Sequence, residues 1–394
     1  MNNLNRLKVL RIVIGIALLV GVLFSLELWF PTGRSFPRIP LLITLPEAIV
    51  SFAERLLCAI LIISLILITI VRRSKLFSII AVASLSLLIF FDQMRMQPWV
   101  YQYLLLLGVL TLHDWRTEDE PASNQTLCLL QFIFAALYFW SGVQKLNFSF
   151  AHETLPELLT PLQNVLPAIQ LPLVVLGLSI ALAEALIGCG LLFRKTRNLC
   201  VWLAVMMHGI ILGLLIAKGY NSIVWVWNAA LILTVVISFW KTDVRFGRTI
   251  TVWYTSGWKA KIAKSVAVAV SLLPILSFWG WWDMYLSGAL YSGNTAVAVI
   301  RINEEIREKL PQKAWQHVFQ TKSGGEQMLP ILEWAMTELN VPVYPEPRVF
   351  KQVTRTLCKL TKDKSEVELV MKERPAFFDG SYQVTRISCE QLER

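Results

Sequence analysis

Tyr138-Phe139-Trp140-Ser141-Gly142-Val143-Gln144-Lys145-Leu146-Asn147 closes a long apolar run on a lysine. An ammonium group is costly beside hydrocarbon, so a lysine placed there is either an anchor reaching for the headgroups or a functional group. The run ahead of it, residues 125–146, is long and apolar enough to span a bilayer, which takes about 20 residues. Comparable runs recur between Lys8 and Trp282. The chain of 394 residues is 55% hydrophobic and only 16% charged, where a soluble domain carries roughly a quarter charged residues. We therefore expect an all-α polytopic membrane bundle over residues 1–282. Its about nine transmembrane helices are placed at 8–30, 47–71, 76–92, 98–114, 125–146, 171–194, 198–218, 221–240 and 262–282. The first reads as a retained span, because no small-residue cleavage site follows it.

Basic residues in short loops set the expected orientation. With the N-terminus cytoplasmic, the inner side collects Arg6, Lys8, Arg11, Arg72, Arg73, Lys75, Arg116, Arg194, Lys195, Arg197, Lys241, Arg245, Arg248, Lys259, Lys261 and Lys264. The outer side keeps Arg34, Arg38, Arg95, Lys145 and Lys218. This pattern predicts a multi-pass protein of a bacterial inner membrane whose C-terminal domain is periplasmic. The net charge of +10 lies entirely before residue 283, since the remainder holds fifteen basic and fifteen acidic residues. Positive-inside topology and the lipid bilayer explain it, and nucleic-acid binding is not expected.

Two loops stand out. Residues 147–172 contain Pro156, Pro161, Pro167 and Pro172, and Leu155, Leu158, Leu159, Leu162 and Leu166 recur at helical spacing, as in short interfacial helices. A plain connector lying on the bilayer fits as well. Residues 241–261, with Trp253, Tyr254 and Trp258, read as an amphipathic surface segment. Residues 283–394 read as a small α+β extramembrane domain: strands at 294–302, 366–371 and 382–388, helices at 325–339 and 348–360. Cys358 and Cys389 fall there, where a disulfide persists if the thiols meet. Cys58, Cys128, Cys189 and Cys200 lie in spans as small apolar fillers. No dithiol pair, nucleotide loop or metal-ligand spacing occurs, and His317 reads as a surface residue.

Polar residues inside spans mark candidate chemistry. Glu54 and Arg55 are adjacent and cannot share a helix stripe. Asp92, Gln93, Arg95 and Gln97 cluster at one span end, and Tyr101, Gln102 and Tyr103 open the next. Lys145 is tunable toward a neutral base in a way arginine is not. Glu184 and His208 lie deep in apolar helices. They are candidates to support Lys145, or to pair with each other as a structural tie. Asn228 adds a polar group. Tyr138, Trp140, Trp225, Trp227, Trp279, Trp281 and Trp282 either line a pocket for a flat ligand such as a quinol or form the interfacial aromatic belt.

The pattern Y-x-x-x-G-x-x-K-L-N over 138–147 resembles the lysine-bearing helix of vitamin K-dependent gamma-carboxylases and their horizontally transferred transmembrane (HTTM) relatives. Ala181-Leu182-Ala183-Glu184, Gly190-Leu191-Leu192, Thr196-Arg197 and Met206-Met207-His208 continue the likeness on the next two spans. The same series is similar to the DoxX and MauE-like four-helix membrane proteins. The resemblance covers about residues 76–240, with Leu273-Pro274 and Tyr291 to Asn294 in addition. It implies a lysine base, Lys145, that deprotonates a vitamin K-like reduced naphthoquinone, with His208 and Glu184 in support and Tyr138, Trp140 and Asn228 near the cofactor. In the carboxylases the quinol then reacts with oxygen, and the strong base formed lets carbon dioxide add to a glutamate side chain. Their much longer outer region has no counterpart here, so no residue handling glutamate or carbon dioxide carries over.

Three functions fit the residues: a quinol-dependent, carboxylase-like enzyme; a DoxX-like redox subunit working with a thiol partner; and a non-enzymatic scaffold docking a periplasmic protein partner, with Lys145 as a snorkelling anchor. Catalysis itself is left open by the residues alone.

Overall fold

A computed structural model describes residues 1–30, 33–41, 46–71, 75–115, 119–165, 172–246, 257–321 and 325–393. Arg72, Arg73, Arg116, Leu166, Pro167, Arg248, Trp253 and Tyr254 lie outside the described residues. Among the described residues nine apolar helices form the bundle: α1 (Asn3–Phe24), α2 (Glu47–Ile70), α3 (Leu76–Phe91), α4 (Pro98–Leu112), α5 (Glu120–Lys145), α6 (Leu173–Leu192), α7 (Arg197–Lys218), α8 (Ser222–Phe239) and α9 (Trp258–Leu272). The last continues as a 3₁₀ turn, Leu273–Trp279. Seven are long and apolar enough to cross a membrane, which makes the chain a multi-pass membrane protein by length and composition. At 16 and 15 residues, α3 and α4 fall short of the ~30 Å hydrocarbon layer at 1.5 Å per residue. Among the described residues seven helices thus reach spanning length, and the expected count of nine spans is not confirmed.

Helix starts follow local chemistry. Asn2 caps α1 by accepting from the Asn5 amide. Asp119 accepts from the Ala122 amide at the start of α5, whose first turn also holds Pro121, a residue whose missing N–H is harmless there.

The tightest helix pair is α5 with α6. Gly142 lies against the backbone of Ala181 and Ala185, and Gly188 against that of Ala135 and Phe139, so a Cβ at either glycine would strike main-chain atoms. Between lipid-facing helices the attraction is mainly dispersion, which rewards such small-residue approach.

The C-terminal domain holds a five-stranded antiparallel sheet in the order β2-β3-β1-β4-β5. Its strands are β1 (Val297–Ile302), β2 (Phe319–Gln320), β3 (Gln327–Pro330), β4 (Glu368–Lys372) and β5 (Val384–Ser388). Central β1 pairs Ile300 with Leu329 on one side and with Leu369 on the other. Ala298, Ile300 and Ile302 face the core in strict alternation. Helices α10 (Ile331–Leu339) and α11 (Pro347–Cys358) bury Trp334, Leu339, Phe350 and Val353. The segment expected as helix over 325–339 thus starts as strand: Gln327–Pro330 pairs with β1, and Pro330, lacking an N–H, separates it from the helix Ile331–Leu339. Cys358 and Cys389 are disulfide-bonded. Cys58, Cys128 and Cys200 are buried and outside any disulfide, whereas Cys189 is exposed.

The domain is fastened to one end of the bundle. Glu338 accepts from the amides of Ser35 and Phe36 and from the Ser35 hydroxyl, which holds its carboxyl below the ordinary range against the opposing effect of burial. Gln97 donates to the Pro342 carbonyl (3.0 Å), Arg348 to Gln93 (2.8 Å), and Arg374 to the Phe278 carbonyl (3.0 Å).

Candidate functional site

The glycine-mediated approach of α5 and α6 sets the register of their polar residues. Lys145 sits three residues beyond Gly142, and Glu184 immediately precedes Ala185. The Lys145 Nζ donates to Glu184 Oε2 (2.8 Å) and to Ser141 Oγ (2.6 Å). Their side chains are 14% and 9% exposed. The Lys145 ammonium is thus held by a carboxylate one helix away.

The pair keeps unused capacity. An ammonium has three hydrogens, of which two are engaged, and Glu184 Oε1 has no partner among the described residues.

A second chain of polar groups runs from α5 to α7 and α8. The Tyr138 hydroxyl lies 2.6 Å from His208 Nε2, and His208 Nδ1 lies 2.8 Å from Asn228 Oδ1. The Asn228 amide nitrogen donates to the Val224 carbonyl (2.8 Å), which turns its oxygen toward the histidine. A neutral imidazole then carries its proton on Nδ1, leaving Nε2 to accept from Tyr138. Tyr138, Ser141 and Lys145 fall on one stripe of α5, at i, i+3 and i+7. Glu184 is close enough to act electrostatically on both Tyr138 and His208.

Of the six residues singled out by sequence, five thus gather into two neighbouring hydrogen-bonded groups. The suspected direct tie between Glu184 and His208 is replaced: Glu184 binds Lys145, and His208 binds Tyr138 and Asn228. Trp140 joins neither group, since its indole N–H donates to the Ser271 carbonyl on α9 (3.2 Å). Trp225 and Trp227 are tied to the Tyr220 carbonyl and Gln102, while Trp279 and Trp281 are 63% and 76% exposed, as belt residues are.

Sequence reasoning missed Ser141, whose hydroxyl fixes the ammonium; the i, i+4 spacing from Lys145 was the available signal. Next to this site, Gln144 and Asn147 reach Ser277, Asn294 and the Ser292 carbonyl, so the end of α5 is anchored to the chain leading into the C-terminal domain. Phe150–Val165 forms short helical turns beside it, and Phe150, Leu155 and Leu159 pack with Ala181 of α6. The turns expected in the 147–172 connector are present, and they cover α6 near Glu184. Among the described residues no group of His, Cys, Asp and Glu is arranged to hold a metal ion.

Comparison with protein-family models, with curated proteins and with solved structures finds no match for this chain.

Proposed function

We propose that this chain is a membrane enzyme that takes a hydroxyl proton from a lipid-soluble quinol, such as a reduced naphthoquinone, at the Lys145–Glu184 pair. The observation that carries this reading is a largely buried yet incompletely bonded lysine–carboxylate pair at the mouth of the closest helix contact. The order of Lys145, Glu184 and His208 on successive helices agrees with the carboxylase-like resemblance.

The pairing changes how a lysine base has to work. An ammonium in an ion pair has no lone pair to offer, so its proton must first pass to Glu184, 2.8 Å away. The neutral amine then accepts the quinol hydroxyl proton. The products are a quinolate, a restored ammonium beside it and a protonated Glu184, and the total charge is unchanged. Ser141 holds Nζ in place during the exchange, and Tyr138, whose hydrogen goes to His208, presents its hydroxyl oxygen to accept from the quinol's second hydroxyl. The site opens on the periplasmic side of a bacterial inner membrane in this reading.

A structural brace is the competing reading, and the same ion pair motivates it. The two separate on purified protein in nanodiscs supplied with reduced menadione and dioxygen, the oxidant that consumes the quinolate and makes turnover readable. Lys145→Ala and Glu184→Gln should each lower quinol turnover by about 10²–10⁴-fold, the range of a lost general base. Unchanged turnover with a lowered thermal midpoint would establish the brace instead.

A further inference from the structure

At the end of the bundle opposite Lys145, a cavity of about 500 Å³ opens where the starts of α1 and α5 meet the turn after α8. Its wall includes Arg6, Lys241 and Arg245, opposed by Glu120 and Asp243. Asp243 already holds Arg194 at 2.8 Å, so the wall retains an excess of positive charge. The size lies within the ~300–1,000 Å³ of pockets that hold a small organic group.

The basic groups are held in place. Arg6 is only 6% exposed and donates to the carbonyls of Met1, Ile237, Trp240 and Lys241 at 2.7–3.4 Å. These are main-chain dipoles; no carboxylate of a described residue pairs with it. Lys241 follows α8 with φ 50°, a left-handed conformation that a side-chain-bearing residue rarely adopts. Its amide is fixed by Asn198 Oδ1 (3.0 Å), and its ammonium has no ion-pair partner among the described residues. A strained backbone that presents a lysine is a feature of ligand-gripping positions.

Tryptophans locate the cavity relative to the bilayer. Trp240 meets Trp202 edge to face (5.7 Å), and Trp202 and Trp258 are 56% and 62% exposed. Trp202 and Trp258 stand near the starts of α7 and α9 and Trp240 follows the end of α8, and exposed indoles near span ends are what a headgroup layer holds.

We propose that this cavity binds the phosphate-bearing headgroup of an anionic phospholipid. Lys241 makes the direct contact with the phosphate, and Arg6, most of its donors already engaged, contributes fixed positive charge. Basic pockets between membrane helices recognise headgroups in this way.

The test is native mass spectrometry of the detergent-purified full chain, titrated with phosphatidylglycerol, phosphatidylcholine or glycerol 3-phosphate. One phosphatidylglycerol should bind in preference to phosphatidylcholine. Lys241→Gln should weaken that preference roughly fivefold, the change one surface lysine makes to lipid attraction. Lys218→Gln, at the other end of the bundle, should leave it unchanged. Equal binding of the two lipids, or full retention of the preference in Lys241→Gln, would overturn the proposal. Displacement of the lipid by equimolar glycerol 3-phosphate would also overturn it, reassigning the cavity to a soluble phosphate ester.

Discussion

Two ionic clusters lie at the domain-bearing end of the bundle, and they are built to different plans. Around Glu54 the buried charges compensate one another: its carboxylate lies 2.7 Å from Arg95 and 2.9 Å from Arg38, as ion pairs without hydrogen-bond geometry, and Arg34 holds Asp92 at 2.5 Å. Glu54, Asp92 and Arg95 have no exposed surface. Arg95 also donates to the Leu28 and Leu88 carbonyls, and Asp92 accepts from the Ile39 and Met94 amides. The Lys145–Glu184 pair, by contrast, stands largely alone, reaches solvent or lipid at its edge and has a donor and an acceptor to spare. A network in which each wholly buried carboxylate meets its own arginine partners fixes chain segments to one another. A pair with vacancies can receive a further group, and that difference directs attention to α5 and α6.

Substitution should separate the two plans. The largest stability loss is expected in the first cluster: Arg95→Ala leaves Glu54 buried without its closest partner, at a cost of about 3–5 kcal/mol. The thermal midpoint in detergent should fall steeply, with turnover lost only as far as folded protein is lost. A fall no larger than that of Lys145→Ala would remove the contrast. Next comes Gly142→Ala, whose Cβ meets the Ala185 backbone. Forced separation of α5 and α6 should cost about 1–3 kcal/mol and should lower quinol turnover in the protein that remains folded. Full turnover there would show that the close approach does not position the pair.

A smaller effect concerns the seam between domain and bundle. Burial pushes the Glu346 carboxyl up to about 7, helped by neighbouring Asp283 and opposed by its bond from the Met284 amide and by Arg348 and Arg374. The folded state therefore binds this proton more tightly than the unfolded chain, whose carboxyl sits near 4.5. Its contribution to stability is full below 4.5 and is lost as pH rises through about 7. Hydrogen exchange around residues 283–292, corrected for intrinsic rates, should show less protection at pH 8 than at pH 5.5. Glu346→Gln should flatten that dependence; an unaltered pH profile in the variant would assign it to another group.

Much of the bundle was legible because a membrane helix is announced by its own composition. Runs such as 173–192 need no partner to be recognised, and the polar residues within them stand out against the apolar background. Pairings were harder to read. The register of α5 on α6 depends on Gly142 and Gly188, and only that register brings Lys145 to Glu184 rather than Glu184 to His208. The Ala181, Ala185 and Gly188 series carried the signal, as a stripe of small residues at helical spacing. Nothing local linked Arg34 to Asp92, 58 positions apart. In the C-terminal domain, Gln327–Pro330 is too short for periodicity to distinguish strand from helix, and β1 decides it.

The central claim is that Lys145 exchanges a proton and does not merely brace two helices. Lys145→Arg tests it most directly, because arginine preserves the ion pair but does not give up its proton. In nanodiscs with reduced menadione and dioxygen, the variant should keep the wild-type thermal midpoint and lose about 10²-fold or more of quinol turnover. Wild-type turnover in Lys145→Arg would contradict the proton-handling role and leave the pair as a brace.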